Sequence, residues 1–200
     1  SAKIEVVKNG IDLEKFKFNQ DIRIKVRKEL GLEDKYVIGN IGRFVYQKNH
    51  EFLIDVFYEF CKEHDDAVMV LIGIGDLQDE IKNKVEMLGI KEKVMFLNKR
   101  NDVDALMQGM DLFVLPSRFD GFPLSLLEAQ ASGLPCLAGN VPKEACLNIR
   151  NKVLELSVEV WLKAIEEEYN TKSRNFIEQE IMQMHDIKRQ VMCLEQIYCR

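Results

Sequence analysis

Val68-Met69-Val70-Leu71-Ile72-Gly73-Ile74-Gly75-Asp76 is an unbroken apolar run that ends in a Gly-x-Gly turn. A run with no polar alternation suits a strand covered on both faces, as in parallel sheets whose crossovers are helices. The flanking segments repeat the pattern. Upstream, Val37 to Gly42 is a second apolar, β-branched run, and Asn49 to His64 has helical periodicity. Downstream come a helix over Leu77 to Leu88 stopped by Gly89, a strand over Val94 to Leu97, a helix over Val103 to Gly109 and a strand over Leu112 to Leu115. A helix from Pro123 to Ser132 and a strand from Pro135 to Ala138 follow. Strands alternating with helices predict right-handed crossovers, and hence an α/β, Rossmann-like, doubly wound parallel sheet.

Ahead of this core, Lys3 to Val7 reads as a short strand closed by the turn pair Asn9-Gly10, and Asp21 to Leu30 as a helix ended by Gly31. After Pro142 the rhythm weakens. Val153 to Leu156 predicts a last short strand, followed by helices over Glu159 to Tyr169, Ser173 to Met184 and Ile187 to Tyr198. There is no internal repeat.

With 200 residues, 46% of them hydrophobic and 30% charged, the chain has the balance of a globular domain with a sizeable core. A net charge of -5 argues against a nucleic-acid binder that works by neutralising phosphates. Cys61, Cys136, Cys146, Cys193 and Cys199 form no Cys-x-x-Cys pair, and His50, His64 and His185 are scattered, so no metal site is expected and a reducing compartment is. No apolar run approaches the ~18 residues of a membrane span. A start at Ser1-Ala2 in place of methionine sets the expectation of a processed or excised piece.

Doubly wound sheets bind ligands beyond the carboxyl ends of their strands, so the loops there hold the candidate residues. In Gly42 to His50, Arg43 and Lys48 lie five apart as the chain enters a helix; they could close on one anion, or be solvated surface cations. The turn Gly73-Ile74-Gly75-Asp76 lets backbone approach a ligand, yet lacks the third glycine of a dinucleotide fingerprint; the alternative is a tight turn with Asp76 as helix cap. The loop Asn98-Lys99-Arg100-Asn101-Asp102 has backbone that could read a nucleobase edge, or is a loop capped by Asn101 or Asp102.

The stretch Ser117 to Pro135 sets Asp120 and Glu128 on either side of Gly121-Phe122-Pro123-Leu124. Pro123 suits the first helical turn, and Gly121 allows a sharp path before it, leaving N–H groups free for an oxygen-rich, anionic group. The helix is apolar nearly all round, which predicts burial, with Glu128 on the face of Leu124. Both acids could then face one cavity as acceptors for sugar hydroxyls. The alternative is that Asp120 favours the helix start and Glu128 pairs with a cation.

Taken together, Val7-Lys8-Asn9-Gly10-Ile11-Asp12, Ile41-Gly42-Arg43 with Lys48, Leu71-Ile72-Gly73-Ile74-Gly75, Asp111 to Ser117, Gly121-Phe122-Pro123-Leu124 with Glu128-Ala129, and Ser132-Gly133-Leu134-Pro135 resemble the donor-binding, C-terminal domain of group 1 (family 4) retaining glycosyltransferases of the GT-B fold. Val141 to Glu144 and the ending Asp186 to Tyr198 resemble more narrowly the bacterial capsule and exopolysaccharide enzymes. The resemblance implies a lead-in strand and helix at an interdomain hinge over 1–35, a nucleotide-sugar-binding core over 36–157 and C-terminal helices over 158–200. It implies a UDP- or GDP-sugar as donor substrate, with no separate cofactor and no metal. Arg43, Lys48, Asp120 and Glu128 become the expected catalytic residues. Arg43 and Lys48 would hold the diphosphate, Glu128 the ribose, and Asp120 would contact the sugar in place of the first glutamate of the family's Glu-x7-Glu motif, one methylene shorter. Gly42, Gly73, Gly75, Arg100 and the Gly121-Phe122-Pro123-Leu124 turn complete the expected donor site. Ala138-Gly139-Asn140-Val141 departs from the family's glycine-rich segment.

By the same resemblance, an N-terminal domain binds the acceptor, a glycan or lipid-linked molecule, and supplies a histidine. The expected setting is the cytoplasm, at the inner face of the plasma membrane through peripheral contact by that domain. Two rival readings are a non-catalytic nucleotide-sugar-binding module and a GT-B epimerase. The scattered histidines, with only His50 near a candidate loop, disfavour the epimerase.

Overall fold

The computed structural model describes residues 7–148 and 150–199. The strand expected from Lys3 falls outside the described residues, save Val7, which is irregular. In chain order, α1 (Leu13–Phe16) and α2 (Gln20–Leu30) precede β1 (Tyr36–Ile41), α3 (His50–Glu63), β2 (Ala67–Ile72), α4 (Gln78–Met87), β3 (Val94–Phe96), α5 (Val103–Gly109), β4 (Leu112–Leu115), α6 (Leu124–Ala131) and β5 (Cys136–Ala138). They are followed by β6 (Lys152–Val153), α7 (Val158–Thr171), α8 (Gln179–Gln183) and α9 (Ile187–Tyr198).

The six strands form one parallel sheet in the order β3-β2-β1-β4-β5-β6. The chain winds outward from β1 through β2 to β3, then returns to the other side of β1 for β4. The direction of winding therefore reverses between β1 and β4, and the loops leaving those two strands flank the crevice where such sheets take ligands.

The apolar runs explain the two covered faces. Ile38, Met69, Leu71, Leu112, Val114 and Leu137 pack into one buried layer with Leu53, Phe57, Ile81, Val85, Trp161 and Ile165 of α3, α4 and α7. Their neighbours in sequence, Val37, Val68, Val70, Ile72, Phe113 and Cys136, pack into the opposite layer with Val26, Leu106, Met107 and Leu126 of α2, α5 and α6. Alternation along each strand is thus by layer, not by polarity.

α2 is capped by Asn19, whose Oδ1 accepts from the N–H groups of Asp21 and Ile22, and ends where Gly31 turns left-handed at φ 67°. Arg23 and Arg27 on this helix hold Asp111 at 2.5 and 3.0 Å, while Asp111 Oδ2 also accepts from Val37 N at 2.8 Å. One carboxylate thereby joins α2 to the starts of β1 and β4.

Several boundaries depart from expectation. The helix expected over Ser173 to Met184 is confined to Gln179–Gln183. The preceding residues run irregularly because their polar groups are taken elsewhere: Arg174 donates to the carbonyls of Ser132, Gln108 and Met110, and Asn175 N donates to Gly133 O at 2.7 Å. The strand expected over Val153 to Leu156 is only Lys152–Val153, since β5 offers it just Leu137 and Ala138 as partners. α1 was not anticipated; Asp12 Oδ1 caps it by accepting from Glu14 N and Lys15 N.

Candidate functional site

The β1 and β2 exits pack backbone against backbone. Phe44 N donates to Ile74 O at 3.1 Å, and Leu77 N donates to Phe44 O at 3.0 Å. A Cβ on Gly73, whose φ is +149°, would lie 2.0 Å from Gly42 O; one on Gly75 would lie 2.4 Å from Phe44 O. The Gly-x-Gly turn therefore serves the approach of one loop to another. Asp76 does not cap α4, whose N-cap residue is Leu77 and makes no side-chain cap bond.

Across the reversal point, Lys48 Nζ meets Asp120 Oδ2 at 2.5 Å, with only 15% and 14% of the two side chains exposed. Lys48 comes from the 3-10 turn Tyr46–Lys48 after β1, and Asp120 from the loop after β4. Gln47 ties the same two loops, donating through Nε2 to Phe119 O at 2.9 Å and accepting through its backbone from Arg118 N at 2.8 Å. Asn140, from the loop after β5, steadies Asp120 from behind: its carbonyl accepts from Asp120 N at 2.9 Å. Ser117 Oγ adds a longer contact to Asp120 Oδ2 at 3.4 Å. Arg43 is exposed and makes no side-chain hydrogen bond or ion pair among the described residues.

At the mouth of α6, Pro123 is the N-cap residue and not the first helical residue as expected. With no capping side chain, the N–H groups of Gly121, Phe122, Leu124 and Ser125 find no partner among the described residues, which leaves the positive helix end open to an anion. Phe122 is fixed from the other side: its carbonyl accepts from Asn9 Nδ2 at 3.2 Å and its ring stacks on His185 at 5.5 Å. α6 is not buried all round, since Leu124 is 48% exposed at the mouth.

The two acids meet different surroundings. Asp120 is drawn to Lys48, whereas the Glu128 carboxylate is half-buried with neither a hydrogen-bond nor an ion-pair partner among the described residues. Burial pushes the Glu128 carboxyl above the usual value; Lys15 opposes the shift and Asp104 adds to it. The alternative reading, in which Glu128 pairs with a cation, finds no such partner within salt-bridge range among the described residues. Arg100 is paired with its neighbour Asp102 in two bonds of 2.8 and 2.6 Å, so Asp102, at the N-cap position of α5, makes no capping bond. Arg43, Lys48 and Asp120 lie in the loops beyond β1 and β4, the two central strands, and Glu128 lies in α6. They line neither of two open clefts, one of about 470 Å³ beside Tyr46 and Arg118 and one of about 580 Å³ beside Phe122 and His185.

The sequence profile of the family described as "Glycosyl transferases group 1" matches residues 22–185. The chain belongs to the group 1 glycosyl transferases. It is 36% identical over 72% of its length to the UDP-Gal:alpha-D-GlcNAc-diphosphoundecaprenol alpha-1,3-galactosyltransferase of Escherichia coli, and covers 38% of that protein. It is 31% identical to EpsF of Bacillus subtilis (strain 168) over 98% of its own length and 53% of EpsF. The chain thus spans about half, or less, of the length of these curated relatives. Among solved structures, Anabaena Alr3699/HepE in complex with UDP superposes with a TM-score of 0.84 at 22% identity, covering 98% of this chain and 57% of that one. That likeness carries the GT-B-type, Rossmann-like fold.

Within this group 1 glycosyl transferase, sequence reasoning missed Gln47, Ser117, Asn140 and Asn9, which hold the site loops in place. Asn9 entered the sequence reading as half of a turn pair and as part of the Val7 to Asp12 motif, with no role given to its side chain, which donates to Phe122 O. The others are polar residues within quoted loops and carry no spacing signature of their own.

The raised pKa of Glu128 gives a test. As the folded-state value lies above the ordinary one of 4.5, ionised Glu128 destabilises the fold at pH above the raised value; at pH below 4.5 the carboxyl is protonated in both states and the cost vanishes. Glu128→Gln is therefore expected to raise the melting temperature at pH 7 and to leave it unchanged near pH 3.5, measured by thermal denaturation in matched buffers. An equal gain at both pH values would show that the carboxylate's charge is not the cause.

Proposed function

We propose that this chain is the donor-binding half of a glycosyltransferase that holds a nucleotide-diphosphate sugar for transfer with retention of configuration, in the assembly of a bacterial surface polysaccharide. The observation that carries this reading is the Lys48–Asp120 pair across the winding reversal, beside the open N–H groups at the mouth of α6. A diphosphate seated there would draw Lys48 from Asp120 and meet Arg43 and the helix end. Charge that builds on the departing diphosphate would then be stabilised by groups already in place, each contributing ~3 to 4 kcal/mol where similar donors have been removed elsewhere. Glu128, half-buried and unpaired, has acceptor capacity for the ribose hydroxyls. Asp120 would act through Lys48 as much as on the sugar.

The names of similar proteins support a UDP-sugar as donor, since the Escherichia coli relative is named for UDP-Gal and the Anabaena structure holds UDP. The same relative is named for a diphosphoundecaprenol substrate, which supports a lipid-linked acceptor met at a membrane surface through a further domain. Among the described residues no helix is long and apolar enough to cross a membrane. A module that binds the donor without turning it over is the second reading. Calorimetric titration with UDP-, GDP- and ADP-sugars is expected to give binding by one nucleotide class, weakened tenfold or more in Arg43→Ala and Glu128→Ala. Absence of binding by all three, or variants that bind like wild type, would overturn the site. Turnover by the 200-residue chain alone would exclude the module reading.

A further inference from the structure

His185 is a buried titratable side chain with no part in the donor site described above, yet it packs against the mouth of α6. It is 3% exposed and lies between the end of α8 and the start of α9. Its ring stacks on Phe122, with centroids 5.5 Å apart and planes 19° from parallel. Its Nδ1 is 3.1 Å from Asn9 O; a carbonyl only accepts, so Nδ1 carries the proton and donates. Burial, with Lys8 nearby, lowers the His185 pKa against the pull of the Asn9 carbonyl, which keeps the ring uncharged at neutral pH. Asn9 completes the connection, since its Nδ2 donates to Phe122 O at 3.2 Å.

Little else holds the turn before α6. On one side Asp120 N donates to Asn140 O, and on the other Pro123 O accepts from Leu126 N and Leu127 N. Between them, the bond from Asn9 is the single hydrogen bond to the backbone of Gly121 or Phe122 among the described residues. Nothing lies within 4 Å of a Cβ built on Gly121, so packing does not confine that residue either. The restraint comes instead from two segments far apart in sequence. Ile11 N donates to His185 O and Ile187 N to Ile11 O, both at 2.9 Å, which bridges the segment before α1 to the start of α9. Gly10 permits that approach, because a Cβ there would lie 2.8 Å from Ile187 Cα. Ile11, Leu127 and Met182 form a small core of their own beside the bridge, with Phe122 packed against it. We propose that His185, acting with Asn9, is a positioning residue for the mouth of α6: it fixes the Phe122 peptide so that the open N–H groups are aimed before an anion arrives. Donors fixed in advance lose less freedom on binding and so bind more tightly. That the anion is the diphosphate of a donor rests on the function proposed above; the ordering of the turn by His185 does not.

The test uses the isotope-labelled chain. Nitrogen relaxation of the backbone amides reads the order of Gly121, Phe122, Leu124 and Ser125 without nucleotide. These amides are expected to be ordered in wild type and distinctly looser in His185→Ala, and also in Asn9→Ala, where the altered side chain is exposed and not part of the core. UDP affinity is expected to fall about fivefold or more in His185→Ala, whereas that of uridine, which has no phosphate to meet the mouth, is expected to stay within about twofold. His185→Phe, which keeps the ring stack and loses the Nδ1 bond, is expected to lie between His185→Ala and wild type. The proposal is overturned if the turn amides are as ordered in His185→Ala as in wild type, if UDP and uridine lose affinity alike, or if His185→Phe and Asn9→Ala both behave like wild type. Failure of UDP to bind the wild-type chain would strike the donor reading alone, and the relaxation comparison would still decide the role of His185.

Discussion

Lys48→Ala is expected to weaken UDP binding by about 10- to 150-fold. A hydrogen bond to a charged group contributes about 1.5 to 3 kcal/mol, and each 1.4 kcal/mol is a factor of about ten in affinity, so loss of the ammonium alone accounts for most of this figure. The substitution also strands Asp120, whose side chain is only 14% exposed. Removing one partner of a fully buried pair costs about 3 to 5 kcal/mol; beyond the strand ends, where part of each side chain is in reach of solvent, about 1 to 2 kcal/mol is expected. Calorimetry and urea denaturation on the same preparations separate the two effects. Asp120→Asn supplies the contrasting arm: it frees Lys48 from its counter-ion and is expected to bind UDP at least as tightly as wild type. A loss in Asp120→Asn as large as in Lys48→Ala would show that Asp120 itself contacts the nucleotide, and the reading of the pair would fall.

Gly73→Ala is expected to destabilise the domain by about 3 to 5 kcal/mol, the largest effect on stability among these predictions. Its φ of +149° is closed to a residue with a Cβ, and that Cβ would lie 2.0 Å from Gly42 O and 2.9 Å from the carbonyl carbon. Both are backbone atoms, so no side chain can swing aside. For a domain of this size the melting temperature should fall by about 10 °C. Gly121→Ala is the matched control, since nothing lies within 4 Å of its added methyl, and a change within about 0.5 kcal/mol is expected. Equal melting temperatures for Gly73→Ala and wild type would mean that the β1 and β2 exits are not packed as described.

The sheet was legible because its strands carry the strongest signal a sequence offers, short apolar runs bounded by turn residues. The expected span Leu112 to Leu115 coincides with β4, and Val103 to Gly109 with α5. Legibility failed where tertiary hydrogen bonds override local preference. Nothing near Arg174 in sequence reveals that its guanidinium reaches the carbonyls of Gln108 and Met110, yet that reach keeps the segment out of a helix. The loops of the site were found from their place at strand ends, and the structure does set Lys48 against Asp120. The pairing itself could not be read, because it joins residues 72 positions apart through a strand order that no local pattern encodes. Glu128 shows the converse. Helical spacing put it beside Leu124, but the chemistry of its surroundings comes from Lys15 and Asp104 on two other helices.

The Lys48–Asp120 pair also bears on how a charged ligand arrives. Long-range attraction depends on net uncompensated charge, and here the lysine nearest the crevice is already cancelled on a chain of net charge -5. Arg43 and Arg118, neither of them in an ion pair among the described residues, are left to draw an anion in, over a screening distance of ~8 Å at physiological salt. Encounter with a diphosphate should therefore proceed at an ordinary, weakly salt-dependent rate. Tightness would come from slow departure, once Lys48 has exchanged its carboxylate for phosphate oxygens.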